Sequence, residues 1–558
     1  MKVLVLLLAC LPAMAKLGDA LLDAARNDDQ AAVGALLRQG ADCNARDGDG
    51  ATALAWAAAR NNSAMAKLLL GAGTDPNATN EMGIGPLMIA ITNGSTEMVK
   101  LLLEKGADPH IARENGETPL MTAARLGQAD TMRLLLDRGA NVNARERKFG
   151  QTALMWAAGN PDAVRLLVRR GADIRAVTST WNVKYVIYAP TTATLGKTGI
   201  PWNTDGDYVT RKGGQNALFF AVQKHSLESA SLLLDAGIDV NSPAADGTTP
   251  LLATLYNWDP PSTVFVPGKG APAQAGSSQK FRADLKMAAL LLDRGAKAGA
   301  VDGAGYTPLH GAALAVANAS LGAGFRRGGA YGRNPAMLTL SPTADPNAAG
   351  TVAEGLLIVS RLLAQGADPN RQTLYPTAGP AGDVRINPAP PGSSAFHIAA
   401  ASTNLDLVKR LADRGANVNL LRKDGHTPLT VAVMSGSIEV VKELIARGAD
   451  LHARYNPAEK IPDPVEPITV ARRGQSILHI AALNGNVAMV EFLYAQGARL
   501  DVKNESGETP FDLADQQERY RQAIQIQNAD GDAEKIRAVV RPTEMTTAIR
   551  KLMAQAQK

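Results

Sequence analysis

Thr118-Pro-Leu-Met-Thr-Ala-Ala124, followed by Leu136-Asp-Arg-Gly139, decides how this chain is read, because both phrases keep returning. Endings of the second kind close at Gly40, Gly73, Gly106 and Gly139, each 33 residues after the last. They come back at Gly171, Gly237, Gly295, Gly366, Gly415, Gly448 and Gly497. Openings of the first kind include Thr52-Ala-Leu-Ala-Trp-Ala-Ala58 and Thr307-Pro-Leu-His-Gly-Ala-Ala313. Further copies start at Thr152, Thr249, Ser394, Thr427, Ser476 and Thr509. Self-similarity at such a period marks a chain of stacked supersecondary units, not a set of globular cores.

Each phrase has a physical reading. Thr ahead of a helix accepts from an otherwise orphan amide, and Pro at the first helical position sacrifices no hydrogen bond. The Ala-Ala pair keeps the first helix thin enough for close neighbours. A second helix such as Glu97-Met-Val-Lys-Leu-Leu-Leu103 carries an apolar stripe at helical spacing, and Gly106 or Gly139 ends it in a left-handed cap. A turn such as Asp424-Gly425 leads to the next pair. One pair cannot bury its own apolar face. Stacking removes that face from water, at roughly 25 cal/mol per Å².

These residues resemble the Thr-Pro-Leu-His…Ala-Ala signature of the ankyrin-repeat family. The resemblance implies an all-α solenoid of about twelve helix-turn-helix units with finger turns, running from residue 16 to 515. The first unit, Leu17 to Gly40, has a polar opening helix suited to a cap. Residues 516–558 are expected to form a helical C-terminal cap, with Ile549, Leu552 and Met553 covering the last exposed face.

The resemblance also implies a non-catalytic scaffold that holds a protein partner with finger tips and the exposed ends of first helices. Carried over, those positions are Arg46, Asp49 and Arg60 in the first full unit, then Glu81 and Met82. The following unit gives Arg113, Glu114, Glu117, Arg125 and Leu126, and the next finger Arg145, Arg147 and Lys148. Trp56 and Trp156 lie in the inner-helix phrase and are expected to pack between units.

The composition agrees. Of 558 residues, 46% are hydrophobic and 20% charged but only 4% aromatic, which suits slim helices in a row better than one bulky core. A formal charge of +5 is slight at this length, and no basic run points to nucleic acid. At the N-terminus, Lys2, the apolar run Val3 to Leu11 and Ala13-Met-Ala15 read as a signal peptide over residues 1–15. The expectation is an exported, periplasmic or secreted monomer. Leu7-Leu-Ala-Cys10 offers a lipid-anchored alternative at Cys10, and a buried first helix offers a cytoplasmic one. Only Cys10 and Cys43 are present, so cleavage after Ala15 leaves no pair for a disulfide. Nothing downstream reads as transmembrane.

The period breaks in five places. Residues 176–212, 372–392 and 455–473 fall where fingers belong, whereas 259–282 and 318–352 separate the first helix of a unit from its second. The first of these contains the strand-like Trp181-Asn-Val-Lys-Tyr-Val-Ile-Tyr188. Its aromatics Trp181, Tyr185, Tyr188, Trp202 and Tyr208 are candidate partner contacts, or on the alternative reading a glycan-directed binding or catalytic surface.

No cofactor, metal or catalytic site is expected. His310, His397 and His479 occupy the signature His, to which the resemblance gives a structural role. His110, His225, His426 and His452 have no ligand spacing. Gly196-Lys-Thr198 lacks the earlier glycine of a phosphate loop, since Thr191 stands there. Gly322-Ala-Gly-Phe-Arg-Arg-Gly328 misses the dinucleotide fingerprint and follows a helix instead of a strand. No Gly-x-Ser-x-Gly or His-Glu-x-x-His occurs.

Overall fold

The computed structural model describes residues 16–185, 208–255, 284–320, 348–374, 392–423, 425–455, 473–516, 518–519 and 544–556. Its fold class is all-α, a repeat solenoid, and the chain divides into two compact units. One comprises Met1–Val183 with Val209–Pro250, the other Lys184–Tyr208 with Leu251–Lys558.

In the first unit, inner helices Ala53–Ala59, Pro86–Thr92, Pro119–Arg125, Ala153–Trp156 and Ala217–Gln223 alternate with outer helices Ser63–Gly71, Thr96–Glu104, Ala129–Asp137, Pro161–Arg169 and Leu227–Asp235. A single 3-10 turn, Ala157–Gly159, prolongs the fourth inner helix. Helices over 16–26 and Gln30–Arg38 precede them, the first with Leu21 and Ala25 fully buried and Lys16, Asp19 and Asp23 outward. The second unit repeats the plan with Pro308–Ser320 and Ala348–Ala364, Ala395–Ala401 and Leu405–Ala412, Pro428–Ser435 and Ile438–Ala446, and Ile477–Leu483 and Val487–Ala495.

The local signals act as read. Thr52, Thr118 and Thr427 accept from the third helical amide at 3.3 Å. The Ala pairs are sealed: Ala57, Ala58, Ala123, Ala124, Ala399 and Ala400 are fully buried. All eleven unit-ending glycines from Gly40 to Gly497 take φ between 82° and 99°, a region costly for any residue with a Cβ. Two residues after nine of them, an Asp or Asn turns its carboxylate or amide onto the following backbone, as Asp42 does to Asn44 N (2.9 Å). Asn then reaches the neighbouring repeat: Asn77 Oδ1 accepts from Asp108 N at 2.7 Å and its Nδ2 donates to Gly106 O at 3.1 Å. Asn143, Asn370 and Asn419 repeat both bonds one repeat further along each time.

The same two backbone bonds close fingers of very different length. In a short finger, Arg113 N donates to Glu117 O (2.9 Å) and Gly116 N to Arg113 O (2.8 Å). In the long ones the equivalent pairs are Thr178 N to Gln215 O with Gly214 N to Thr178 O, Thr373 N to Ser393 O with Gly392 N to Thr373 O, and Tyr455 N to Gln475 O with Gly474 N to Tyr455 O. Three insertions therefore replace a finger tip without disturbing its base. Loop-closure entropy rises only slowly with length, so such a site tolerates them. The first becomes a two-stranded sheet, β1 (Thr180–Tyr185) and β2 (Tyr208–Gly213). This is shorter than the strand-like run, whose end at Tyr188 lies outside the described residues.

Two expectations need correction. The break at 318–352 is narrower than the sequence suggested, because Pro308–Ser320 runs on to 13 residues and Ala348–Ala364 to 17. They pack so closely that a Cβ on Gly355 would meet Val316 Cγ2 at 2.6 Å, so Gly355 permits the lengthened pair. At the C-terminus, helix Glu544–Ala556 buries Met545 and Ile549 but leaves Met553 37% exposed. The inward face is thus one turn earlier than expected, and Thr546 donates to Glu518 Oε2 at 2.7 Å beneath it.

Candidate functional site

In the first unit, the fourth residue of successive inner helices forms a row. Trp56, Ile89, Trp156 and Phe220 are half-buried, whereas Thr122 between them is buried. The five inner helices from Ala53 to Gln223 contain no Asp or Glu, and Arg60, Arg125 and Lys224 stand at their ends.

The same device frames the row at both tryptophans. Arg26 lies over the Trp56 ring, 5.0 Å from its centroid, and donates to Asp47 Oδ2 at 3.2 Å, which also takes the indole N–H at 3.0 Å. Three repeats on, Arg125 lies over Trp156 at 5.7 Å and pairs with Glu117 at 3.6 Å. A guanidinium over an indole face is attracted by the ring quadrupole. The two copies differ in the arginine's carboxylate, Asp47 of the tryptophan's own finger against Glu117 of the preceding one, and in the indole: Trp156 Nε1 is buried with no hydrogen-bond partner. The residue equivalent to Asp47 is Glu146, and its oxygens are already taken by the amides of Lys148, Phe149 and Gln151 at 2.7, 2.7 and 3.0 Å.

Both clustered carboxylates are held ionised. Burial pushes Asp47 and Glu117 up, but hydrogen bonds outweigh it and leave both below their usual range. For Asp47 they come from Ala51, Trp56, Asp49 and Arg26, and for Glu117 from Thr122 and Arg113, helped by the positive charges of Arg113 and Arg125. Glu117 is only 4% exposed, so it is an internal anchor and not the surface residue the sequence suggested. Thr122 donates to it at 2.8 Å and Arg113 at 3.0 Å.

A family model described as ankyrin repeats (3 copies) matches residues 21–113, 87–178 and 350–455, and one described as ankyrin repeats (many copies) matches 463–514. These spans cover more than half of the chain. The chain belongs to the ankyrin-repeat family. A comparison with curated proteins returns no match.

Several finger residues of this ankyrin-repeat chain have tasks within it. Arg46 Nη1 donates to Thr79 O (2.8 Å), Arg145 Nη1 to Val177 O (2.6 Å) and Arg147 Nη1 to Glu114 O (3.0 Å), so each guanidinium ties one finger to its neighbour. Gln372 and Arg454 make the equivalent bonds to Leu421 O and Lys503 O, both at 2.8 Å. Backbone bonds such as Glu81 N to Asp49 O (3.3 Å) run beside them. Arg60 reaches back to Arg26 O with Nε and Nη2, at 3.1 and 2.8 Å. Met82 (62%) and Leu126 (42%) are exposed, as are Asp49, Glu114 and Lys148.

On the first insertion, Trp181 is 41% exposed and tilts against Phe149 at 5.3 Å, with Lys148 Nζ over Phe149 at 4.9 Å. Tyr185 and Tyr208 are placed only by their strands, and Tyr188 and Trp202 lie outside the described residues. So do residues 1–15, Gly196-Lys-Thr198 and Gly322–Gly328. Sequence reasoning passed over Arg26, Ile89 and Phe220. The spacing that made Trp56 and Trp156 equivalent was the signal that could have found the row.

The signature histidines bridge repeats. Thr307 N donates to His310 Nδ1 at 3.2 Å, so the ring proton sits on Nε2, which donates to Ser393 O at 3.1 Å. His397 and His479 do the same toward Leu420 O (3.0 Å) and Glu508 O (2.9 Å). Burial pushes His310 down to about 4 and lowers His479. Among the described residues no group of three or more His, Cys, Asp or Glu is placed to hold a metal, and no helix is long and apolar enough to cross a membrane.

Proposed function

We propose that this chain is a non-catalytic scaffold that holds a protein partner on the inner-helix and finger face of its first unit. Ankyrin repeats generally mediate protein–protein interaction, and proteins built from them are typically non-catalytic scaffolds. The observation that carries the reading is the row Trp56, Ile89, Trp156 and Phe220, left half-open with arginines stacked on both tryptophans. Aromatic and Arg side chains are the usual energetic anchors of interfaces. The hydrogen bonds linking one finger to the next order them before binding, which lowers the entropy lost on docking.

The scaffold acts after export, as the apolar N-terminus followed by Ala13-Met-Ala15 suggests. Mass spectrometry of the mature N-terminus checks this. Lys16 or an acylated Cys10 supports export, and retention of Met1 overturns it. For the docking face, affinity capture from the native compartment is compared for the natural chain and the Trp56→Ala/Trp156→Ala double variant. Recovery of the same main partner by both, with folding intact, places the contact elsewhere. Trp181→Ala then asks whether the ledge on Phe149 is where it lies.

A further inference from the structure

We infer that the open row of the first unit takes an extended protein segment rich in Asp or Glu and carrying apolar side chains. The inference rests on the docking reading above and specifies the chemistry of the partner. A row with one site per repeat suits an extended chain, which lays side chains on one face about every 7 Å. Neighbouring packed helices lie about 8–10 Å apart, so Trp56 and Trp156, three repeats distant, are about 24–30 Å apart. At about 3.3 Å per residue, roughly seven to nine residues bridge them.

Charge decides the composition. The inner helices supply no carboxylate, while Arg26 and Arg125 keep 44% and 53% of their side chains exposed beside the tryptophans. Arg60 has two of its three nitrogens on Arg26 O, which fixes its guanidinium at the edge of the row. Two carboxylates in contact with this row, Asp47 and Glu117, have side chains only 9% and 6% exposed and already matched to arginines, and a third, Asp23, 69% exposed, lies 3.6 Å from Arg26. An incoming acidic group therefore meets at Arg125 a cation whose own counter-ion is buried and at Arg26 one shared with the exposed Asp23, and its apolar neighbours meet the indoles. A nucleic-acid strand fits less well. Asp49, Glu81 and Glu114 stand exposed at the finger tips; a strand charged at every unit cannot keep its phosphates away from them, whereas a peptide can set its apolar residues there and its acidic ones at the arginines.

The test pans a random dodecapeptide display library against the full chain and measures the recovered peptides by fluorescence anisotropy. Recovered sequences are expected to be enriched severalfold in Asp and Glu over Lys and Arg, with Leu, Ile or aromatic residues between them. Arg60→Gln/Arg125→Gln should weaken a recovered peptide at least tenfold, and raising salt should do likewise. The circular dichroism and urea midpoint of the arginine double variant, compared with the natural chain, check that the repeats still fold. A neutral or basic consensus, or affinity indifferent to the arginine changes, overturns the inference. Tighter binding of a single-stranded oligonucleotide that displaces the peptides does too. If no acidic peptide is recovered yet native capture still depends on Trp56 and Trp156, the docking reading stands and the acidic segment falls.

Discussion

The two units build the same helix pair with different chemistry at the third and fourth residues of the inner helix. In the first, the third residue is Ala55, Met88, Met121, Met155 or Phe219, all buried, and the fourth row stays half-open at its tryptophans. In the second, the third residue is Leu252, His310, His397, Thr430 or His479, and the fourth, as at Ile398, Val431 and Ile480, is buried except at Ala253. Apolar packing fixes the first set of inner helices and leaves its fourth row half-open. Where that residue is His310, His397 or His479, its ring spans the helix cap and the next repeat's carbonyl. The second set thus brings histidines into the contact between repeats, where burial lowers the pKa of His310 and His479.

The largest expected difference is in acid. Folded His310 refuses the proton until about pH 4, whereas the unfolded chain takes it near 6.5. Stability present above about pH 6.5 is therefore lost as the pH falls toward 4, by about 3 kcal/mol for this residue at roughly 1.4 kcal/mol per unit. His479 shifts in the same direction. Hydrogen-exchange protection factors at pH 7 and 4.5 should fall over 308–320 and 477–483 and hold over 119–125. Equal losses in both would break the comparison. Carboxylates such as Asp47, Glu117 and Asp246, whose pKa values are lowered, work in the other window and release stability only below their usual range.

A smaller effect separates the two tryptophan clusters. Trp56→Phe removes a hydrogen bond to an ionised Asp47 and should cost about 1.5–3 kcal/mol. Trp156→Phe removes a donor that has no partner and should be neutral or slightly stabilising. Urea midpoints read both, and a matching loss at the two sites would show that Trp156 Nε1 is satisfied in solution. Smallest, and the same in both units, is the cost of Gly139→Ala and Gly366→Ala. With φ at 86° and 84° and nothing within 4 Å of an added Cβ, only the backbone penalty of about 1 kcal/mol remains. Unequal costs would mean that the shared cap is not equivalent in the two units.

What was legible in the sequence is whatever a few neighbouring residues decide together. The period, the helix pairs, the caps at Thr52 and Thr118, the left-handed glycines and the finger positions of three insertions all follow from local capping, sterics and hydrophobic spacing. Tertiary structure alone decided that Glu117 turns inward, that Arg46, Arg145 and Arg147 spend donors on neighbouring fingers, and that the tryptophan row stays open in one unit while its counterpart closes in the other. The reason is that those partners are backbone carbonyls about 32–33 residues away. A carbonyl is the same in every residue, so it leaves no mark in the sequence of where an arginine will find it.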